Sequence, residues 1–143
     1  MGHIAEIKAR CKWNQAGHTR LEKGRAYRLH VRGTWKDAFI ETDARGYGSA
    51  SSKVPWLLRP LLCLAESWRR IPEADWFSLI GTVDKDLGTA MDIGGMLKDL
   101  DNGTGAVITP GKTGHLYCFA NDLPFMYWNN SGAILLSITP VEA

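Results

Sequence analysis

Residues 26–32 read Ala-Tyr-Arg-Leu-His-Val-Arg, and this stretch carries the clearest secondary-structure signal in the chain. Apolar side chains occupy positions 27, 29 and 31, while arginine or histidine occupies positions 28, 30 and 32. Because successive side chains of a strand point to opposite faces, this alternation predicts a β-strand with one buried face. His30 falls on the polar face, so we interpret it as a solvated residue rather than a catalytic one.

The rest of the chain consists of short segments separated by turn-forming residues. Fifteen glycines are scattered along the 143 residues, which is typical of an all-β chain with many turns. Further strands are predicted at 4–12, 76–83, 106–108, 115–120 and 133–139, with a brief pairing at 19–21. Turns are predicted at 14–18, 84–88 and 110–114. Seven or eight short strands in a single domain spanning 1–143 predict an antiparallel β-sandwich.

Residues 54–72 form the one zone with a helical pattern. Pro60 suits the first turn of a helix, and Pro72 ends it. The apolar side chains that share one face at helical spacing are Leu61, Leu64, Ala65 and Trp68. We therefore predict one short inserted helix near 60–70 whose apolar face covers an open end of the core. A helix that binds a partner is the alternative.

Composition and charge exclude several classes of protein. Apolar residues make up 45% of the chain and charged residues 22%, so the chain is neither disordered nor collagen-like. A net charge of +2 is low for a nucleic-acid binder. No apolar run approaches the ~20 residues that a membrane-spanning helix needs, and no export signal is visible. Three cysteines without a CxxC spacing then predict reduced thiols and a cytoplasmic protein.

Residues 121–132, between the last two predicted strands, are rich in side-chain oxygens. They read Asn-Asp-Leu-Pro-Phe-Met-Tyr-Trp-Asn-Asn-Ser-Gly. Oxygen ligands at short spacing suit a hard cation such as Ca²⁺, with Asp122 supplying charge and Asn129 and Asn130 supplying neutral oxygens. The alternative is a polar hairpin whose Asn and Asp side chains satisfy their own backbone.

This segment also resembles the closing segment of the calcium-dependent galactose-binding lectins of the PA-IL type. The shared pattern is N-D-x-P, a short spacer, Y-x-N-N-S-G and an apolar last strand. Weaker similarity covers 77–81 and the segment from Gly24 to Trp35. The resemblance implies a jelly-roll-like β-sandwich of the galactose-binding-domain type, and it implies that sugar hydroxyls complete the coordination shell of a bound Ca²⁺. The residues that it assigns to Ca²⁺ are Asp122, Asn129, Asn130 and the backbone carbonyls of Met126 and Ala38.

The sequence departs from the lectin pattern at three positions of this segment. Phe125 stands where the family has a small residue, Met126 where it has a polar residue and Trp128 where it has glycine. Trp128 could stack on a sugar ring, which would add it to Asp122, Asn129 and Asn130 as a sugar-binding residue, or it could fill the space that a sugar needs. A galactose-like sugar is the expected ligand, and weak single sites lead us to expect a homo-oligomer.

Two other functions remain open from the sequence. A metal-free sandwich could serve as a structural or protein-interaction domain, with Phe125, Met126 and Trp128 forming an apolar tip. The acids of the long loop at 36–52 could serve a glycosidase, but acids in a glycine-containing loop are usually solvated, so we do not expect an enzyme. These acids are Asp37, Glu41 and Asp43.

Overall fold

The computed structural model describes residues 4–99 and 105–141, and their strands form two antiparallel sheets. In chain order, the strands are β1 (Ile4–Lys8), β2 (Asn14–Leu21), β3 (Tyr27–Arg32), β4 (Trp35–Asp37), β5 (Ile40–Thr42), β6 (Leu79–Val83), β7 (Asp86–Asp92), β8 (Gly105–Ile108), β9 (Gly114–Ala120) and β10 (Asn130–Pro140). The larger sheet has the order β5-β4-β10-β3-β8, and β1 also pairs with β10. The smaller sheet has the order β2-β9-β6-β7.

Strand β10 organises the larger sheet. It pairs with β3 and β4 in one continuous register, in which Leu135 lies opposite Arg32 and Asn130 lies opposite Asp37. The positive φ of Gly33 (100°) falls at the break between β3 and β4. The start of β10 is thereby held against the end of β4, and the candidate site lies at this junction.

The apolar faces of the two sheets meet in one core. The alternation of β3 is confirmed, because positions 27, 29 and 31 are buried and positions 28, 30 and 32 are exposed. All five residues of β6 are buried, as a central strand requires. The rings of Trp35 in the larger sheet and Phe77 beside β6 pack edge to face with their centroids 5.8 Å apart. The predicted antiparallel β-sandwich is therefore confirmed.

Several local predictions were wrong. Residues 14–18 are not a turn but the first part of β2, whose Asn14 donates its side-chain amide to the carbonyls of Lys8 and Cys118. The loop at 36–52 contains the short hairpin β4–β5. The turn at 84–88 is limited to Asp84 and Lys85, both with positive φ, and β7 follows at once.

Among the described residues, two α-helices interrupt the strands, namely α1 (Arg59–Ala65) and α2 (Ile93–Asp99). A 3₁₀ turn, Glu66–Trp68, continues α1, and Pro60 lies in its first turn as predicted. The sequence did not predict α2, whose Gly94 approaches the backbone of Ala44 too closely for a larger residue. Helix α2 nevertheless buries Ile93 and Leu97 in the core.

The predicted orientation of α1 was wrong. None of its residues is buried, and Leu61, Leu64 and Trp68, which were expected to face the core, are exposed. Half-buried Ala65 contacts the core as expected, and Leu62, which was not expected to, makes the other contact. Helical spacing identifies which residues share a face of the helix, but it does not show whether that face is buried against the core.

Candidate functional site

The segment between β9 and β10 begins with a structural residue. Asn121 is fully buried, and its amide group donates to the carbonyl oxygens of Ile71, Ala74 and Asp75 at 2.9–3.1 Å. Its Oδ1 accepts the backbone N–H of Ile71 at 3.0 Å. Both the amide group and the carbonyl oxygen of this side chain are therefore engaged. Asn121 therefore fixes the approach of the 71–75 loop, and it places Asp122 next to the end of the smaller sheet.

Asp122 and Asn130 are in direct contact. Both residues are buried, and Asn130 Nδ2 donates to Asp122 Oδ2 at 3.1 Å. The same amide group donates to the carbonyl oxygen of Ala9 at 3.1 Å, which fixes the orientation of the side chain. Asp122 Oδ1 accepts the backbone N–H of Leu123 at 2.7 Å. Asp122 and Asn130 lie eight positions apart in sequence, and their side chains form one buried, hydrogen-bonded pair.

The carbonyl oxygens of the two neighbouring asparagine side chains are left unsatisfied. Asn129 Oδ1 and Asn130 Oδ1 are both buried, and neither accepts a hydrogen bond from the described residues. A buried polar atom without a partner costs about 1–3 kcal/mol, so such atoms are rare in folded proteins. Here two of them lie on consecutive residues, and Asn130 contacts the buried carboxylate of Asp122. A ligand that accepts electron pairs would satisfy both oxygens.

A second carboxylate faces this cluster from the larger sheet. Asp37 lies opposite Asn130 in the pairing of β4 with β10. Its Oδ2 accepts a hydrogen bond of 2.5 Å from the hydroxyl of Tyr47. The sequence pattern led us to expect Asp37 to be a solvated loop acid, and it assigned no role to Tyr47. The signal was available, because period-two alternation places Asp37 on the same face as Trp35, which is buried.

The surroundings of Asp37 and Asp122 disfavour the ionisation of both carboxyl groups at once. Burial raises the pKa of Asp122 to about 7, and the negative charge of Asp37 adds to this rise. Hydrogen bonds from Leu123 and Asn130 oppose the shift without cancelling it. Burial also raises the pKa of Asp37, although the Tyr47 hydroxyl lowers it. Both carboxylates are therefore short of compensating positive charge.

The two predicted backbone ligands lie on separate parts of the chain. Ala38 has a positive φ of 53°, and its N–H donates to the carbonyl oxygen of Asn129 at 3.2 Å. This contact places the turn after β4 beside the asparagine pair. Met126 donates its N–H to the carbonyl oxygen of Leu123 and precedes a 3₁₀ turn, Tyr127–Asn129. The contacts therefore bring Ala38 to Asn129, whereas those of Met126 stay within its own loop.

The tip of the segment is apolar and exposed. Trp128 is 68% exposed and Phe125 is 61% exposed, and Met126 is half-buried. By contrast, Tyr127 is buried and donates its hydroxyl to the carbonyl oxygen of Ala120 at 2.5 Å. Gly132 follows the asparagines with a φ of 81° and packs against the backbone of Trp35, which explains the glycine of the motif.

The other two acids of the 36–52 loop have different partners. Glu41 accepts a hydrogen bond from the hydroxyl of Thr34 at 2.9 Å on an exposed surface. Asp43 forms an ion pair with Arg45 at 2.8 Å, and the pKa of Asp43 is lowered because this pairing outweighs its partial burial.

Within residues 4–99 and 105–141, no group of three or more His, Cys, Asp or Glu side chains could hold a metal ion. The candidate oxygens described above include the amide oxygens of Asn129 and Asn130, which are of a different chemical type. No helix in the same part of the chain is long and apolar enough to cross a membrane.

Comparison with known proteins gives a structural match and no sequence match. No family model matches the sequence, and no curated protein matches it. A solved structure described as the EclA N-terminal domain, a PllA-like lectin, matches with a TM-score of 0.60 and 12% sequence identity. The match covers 96% of this chain and 95% of that chain. The fold that the closing motif implied is therefore the fold of a solved lectin domain.

Proposed function

We propose that the protein is a calcium-dependent carbohydrate-binding protein whose site is formed by the 122–130 segment and β4. The observation that carries this proposal is the pair of buried, unsatisfied oxygens on the consecutive residues Asn129 and Asn130, the second of which contacts the carboxylate of Asp122. The description of the matching solved domain as a lectin supports carbohydrate binding over catalysis.

The donor set fits a hard cation. Ca²⁺ takes six to eight oxygen ligands from carboxylates, amide and backbone carbonyls, and waters or ligand hydroxyls. Asp122, Asn129 and Asn130 would supply side-chain oxygens, and Ala38 and Met126 would supply backbone carbonyl oxygens. The site contains no thiol or imidazole that would favour a softer metal. We add Asp37 to the proposed site, since its charge raises the pKa of Asp122 and a cation would relieve this repulsion.

A bound Ca²⁺ would supply positive charge and open coordination positions for a pair of sugar hydroxyls. The chain's own residues would set the orientation of the sugar. Trp128, exposed at the rim, offers a flat apolar face for a pyranose ring, so we propose stacking rather than obstruction. The identity of the sugar depends on this rim, and a galactose-like sugar is our first candidate.

The experiment that tests the proposal is a calorimetric titration with Ca²⁺, followed by a glycan panel with and without a chelator. We expect Ca²⁺ binding, a raised unfolding midpoint in Ca²⁺ and glycan binding that the chelator removes. Trp128→Ala should weaken glycan binding by about 1–2 kcal/mol and leave Ca²⁺ affinity unchanged. A protein that binds Ca²⁺ but no glycan, with Trp128→Ala equally inactive, would contradict the lectin proposal.

One observation favours a second candidate, a metal-free domain that binds another protein. The exposed side chains of Phe125 and Trp128 form an apolar tip that could serve such a contact. This candidate predicts no thermal stabilisation by Ca²⁺, so the same titration separates the two functions.

A further inference from the structure

The segment from Trp56 to Trp68 presents apolar side chains to solvent on the side of α1 that faces away from the core. We call the side chains of Trp56, Leu57, Leu61, Leu64 and Trp68 the α1 patch. Each of them is between 62% and 80% exposed. This exposure of large apolar side chains contrasts with Leu97 on α2, which is completely buried.

The exposed area of the α1 patch is large enough for a stable interface. A whole tryptophan side chain offers about 250 Å², so the five side chains together expose on the order of 700 Å². The largest apolar patch on a typical monomer is about 300–600 Å². A standard protein interface buries about 800 Å² on each partner, which is close to the area available here.

The patch lacks the charges that a membrane surface would require. A helix that lies on a membrane usually carries lysine and arginine along its polar face. Arg59 is the basic residue of α1, and it is half-buried with its Nε donating to the carbonyl oxygen of Val54 at 3.2 Å. Lys53 donates its Nζ to the carbonyl oxygen of Glu41. The chemistry therefore favours a protein partner over an anionic lipid.

The spacing of the patch is self-complementary. Leu61 and Leu64 lie on α1, whereas Leu57 lies in the turn before it and Trp68 ends the 3₁₀ turn after it. The sequence positions of the four are symmetric about the point between 62 and 63. In an antiparallel pair of α1 helices, Leu61 of one copy would meet Leu64 of the other. A two-fold axis requires this kind of pairing, in which each surface contacts its own copy.

We infer that the α1 patch is a homodimer interface, in which a second copy of this chain packs its α1 antiparallel against the first. The chain leaves α1 directly towards the candidate site, where the N–H of Arg70 donates to the carbonyl oxygen of Asp122 at 3.1 Å. If the site binds sugar as proposed, the dimer presents two sites at a fixed separation, which increases avidity for multivalent glycans. That consequence rests on the proposed function, whereas the dimer itself does not.

The test is sedimentation velocity of the full chain from low to high micromolar concentration, without sugar. We expect a species of twice the 15.9 kDa chain mass, and Leu64→Lys should weaken association by at least about 30-fold, as at a central interface residue. Leu87→Lys is the matched control, because Leu87 is an exposed leucine on β7 outside the patch. Leu61→Lys gives an independent second disruption, and circular dichroism checks that each variant is folded.

A chain that stays monomeric throughout this range would overturn the inference. The same holds for a dimer that survives both Leu61→Lys and Leu64→Lys, or one that Leu87→Lys disrupts equally. Flotation with phosphatidylcholine and phosphatidylserine vesicles tests the competing occupant. A monomer that binds these vesicles through Leu64 would assign the patch to lipid instead, while vesicle binding should be absent if the dimer forms.

Discussion

The closing segment at 121–130 and the α1 segment deviate from ordinary folding preferences in opposite ways. In the closing segment, the side-chain oxygens of Asn129 and Asn130 are buried without a donor, and the carboxylate of Asp122 is buried with a raised pKa. In the α1 segment, leucine and tryptophan side chains remain in water. Each arrangement costs free energy in the isolated chain. The comparison teaches that the chemistry of an unsatisfied region limits what can cover it, and we propose a cation at the first region and an apolar surface at the second.

The largest expected effect concerns the charge at the first region. Asp122→Ala should abolish detectable Ca²⁺ binding in calorimetry, and with it Ca²⁺-dependent glycan binding. The neutral oxygens of Asn129 and Asn130 cannot replace the carboxylate in compensating the dehydration of a dication. Asp37→Asn should have a smaller effect, since it keeps the shape and removes the second charge.

Asp43→Ala is the matched control for this pair of variants. Asp43 is an acid of the same loop region, but its charge is paired with Arg45. Its removal should leave Ca²⁺ affinity unchanged. Equal Ca²⁺ binding by the wild-type protein and Asp122→Ala would show that any cation site lies elsewhere in the protein.

The next effect is the pH dependence of Ca²⁺ binding. The pKa of Asp122 is about 7 in the metal-free protein, so a proton competes with the cation below neutral pH. One proton with this pKa lowers Ca²⁺ affinity by about 30-fold between pH 8 and pH 5.5. Calorimetry across this range measures the change. An affinity independent of pH would show that Asp122 is not a ligand of the cation.

The metal-free protein should show the opposite trend in stability. The pKa of Asp122 is higher in the folded state than the usual value of about 3.9, so the folded state binds the proton more tightly. The stabilisation from this proton is present below about pH 4 and is lost as the pH rises through 7. Thermal unfolding with a chelator should therefore show a midpoint that falls from pH 5 to pH 8, and Asp122→Asn should flatten this dependence.

The sequence predicted those parts of the molecule that depend on local pattern. The alternation at 26–32 predicted β3, and the apolar run at 76–83 predicted the buried strand β6. The position of Asp37 opposite Asn130 was not predicted, because it depends on the pairing of β4 with β10, which are almost one hundred residues apart. The site roles of Asp122, Asn129 and Asn130 remain predictions. Their contacts with one another and with Ala38 depend on tertiary structure that no local pattern specifies.

The prediction of the orientation of α1 failed for a related reason. An apolar stripe predicts that one face of a helix is buried against another apolar surface. The sequence does not show whether that surface is the core of the same chain. In this chain, the core beneath α1 is reached by Leu62 and Ala65. Helix α2, with two glycines and a shorter apolar pattern, gave a weaker sequence signal and yet packs fully against the core through Leu97.

The smallest expected effect sharpens this difference between the two helices. Leu64→Ala should change the free energy of unfolding by less than about 0.5 kcal/mol, since an exposed side chain loses little contact on truncation. Leu97→Ala is the matched variant in the other seven-residue helix, and removal of this fully buried side chain should cost about 2–5 kcal/mol. Urea unfolding at the lowest workable protein concentration measures both changes and keeps self-association from adding to the stability of the wild-type protein. A cost at Leu64 as large as that at Leu97 would mean that the leucine stripe of α1 packs within its own chain, as the sequence alone had led us to expect.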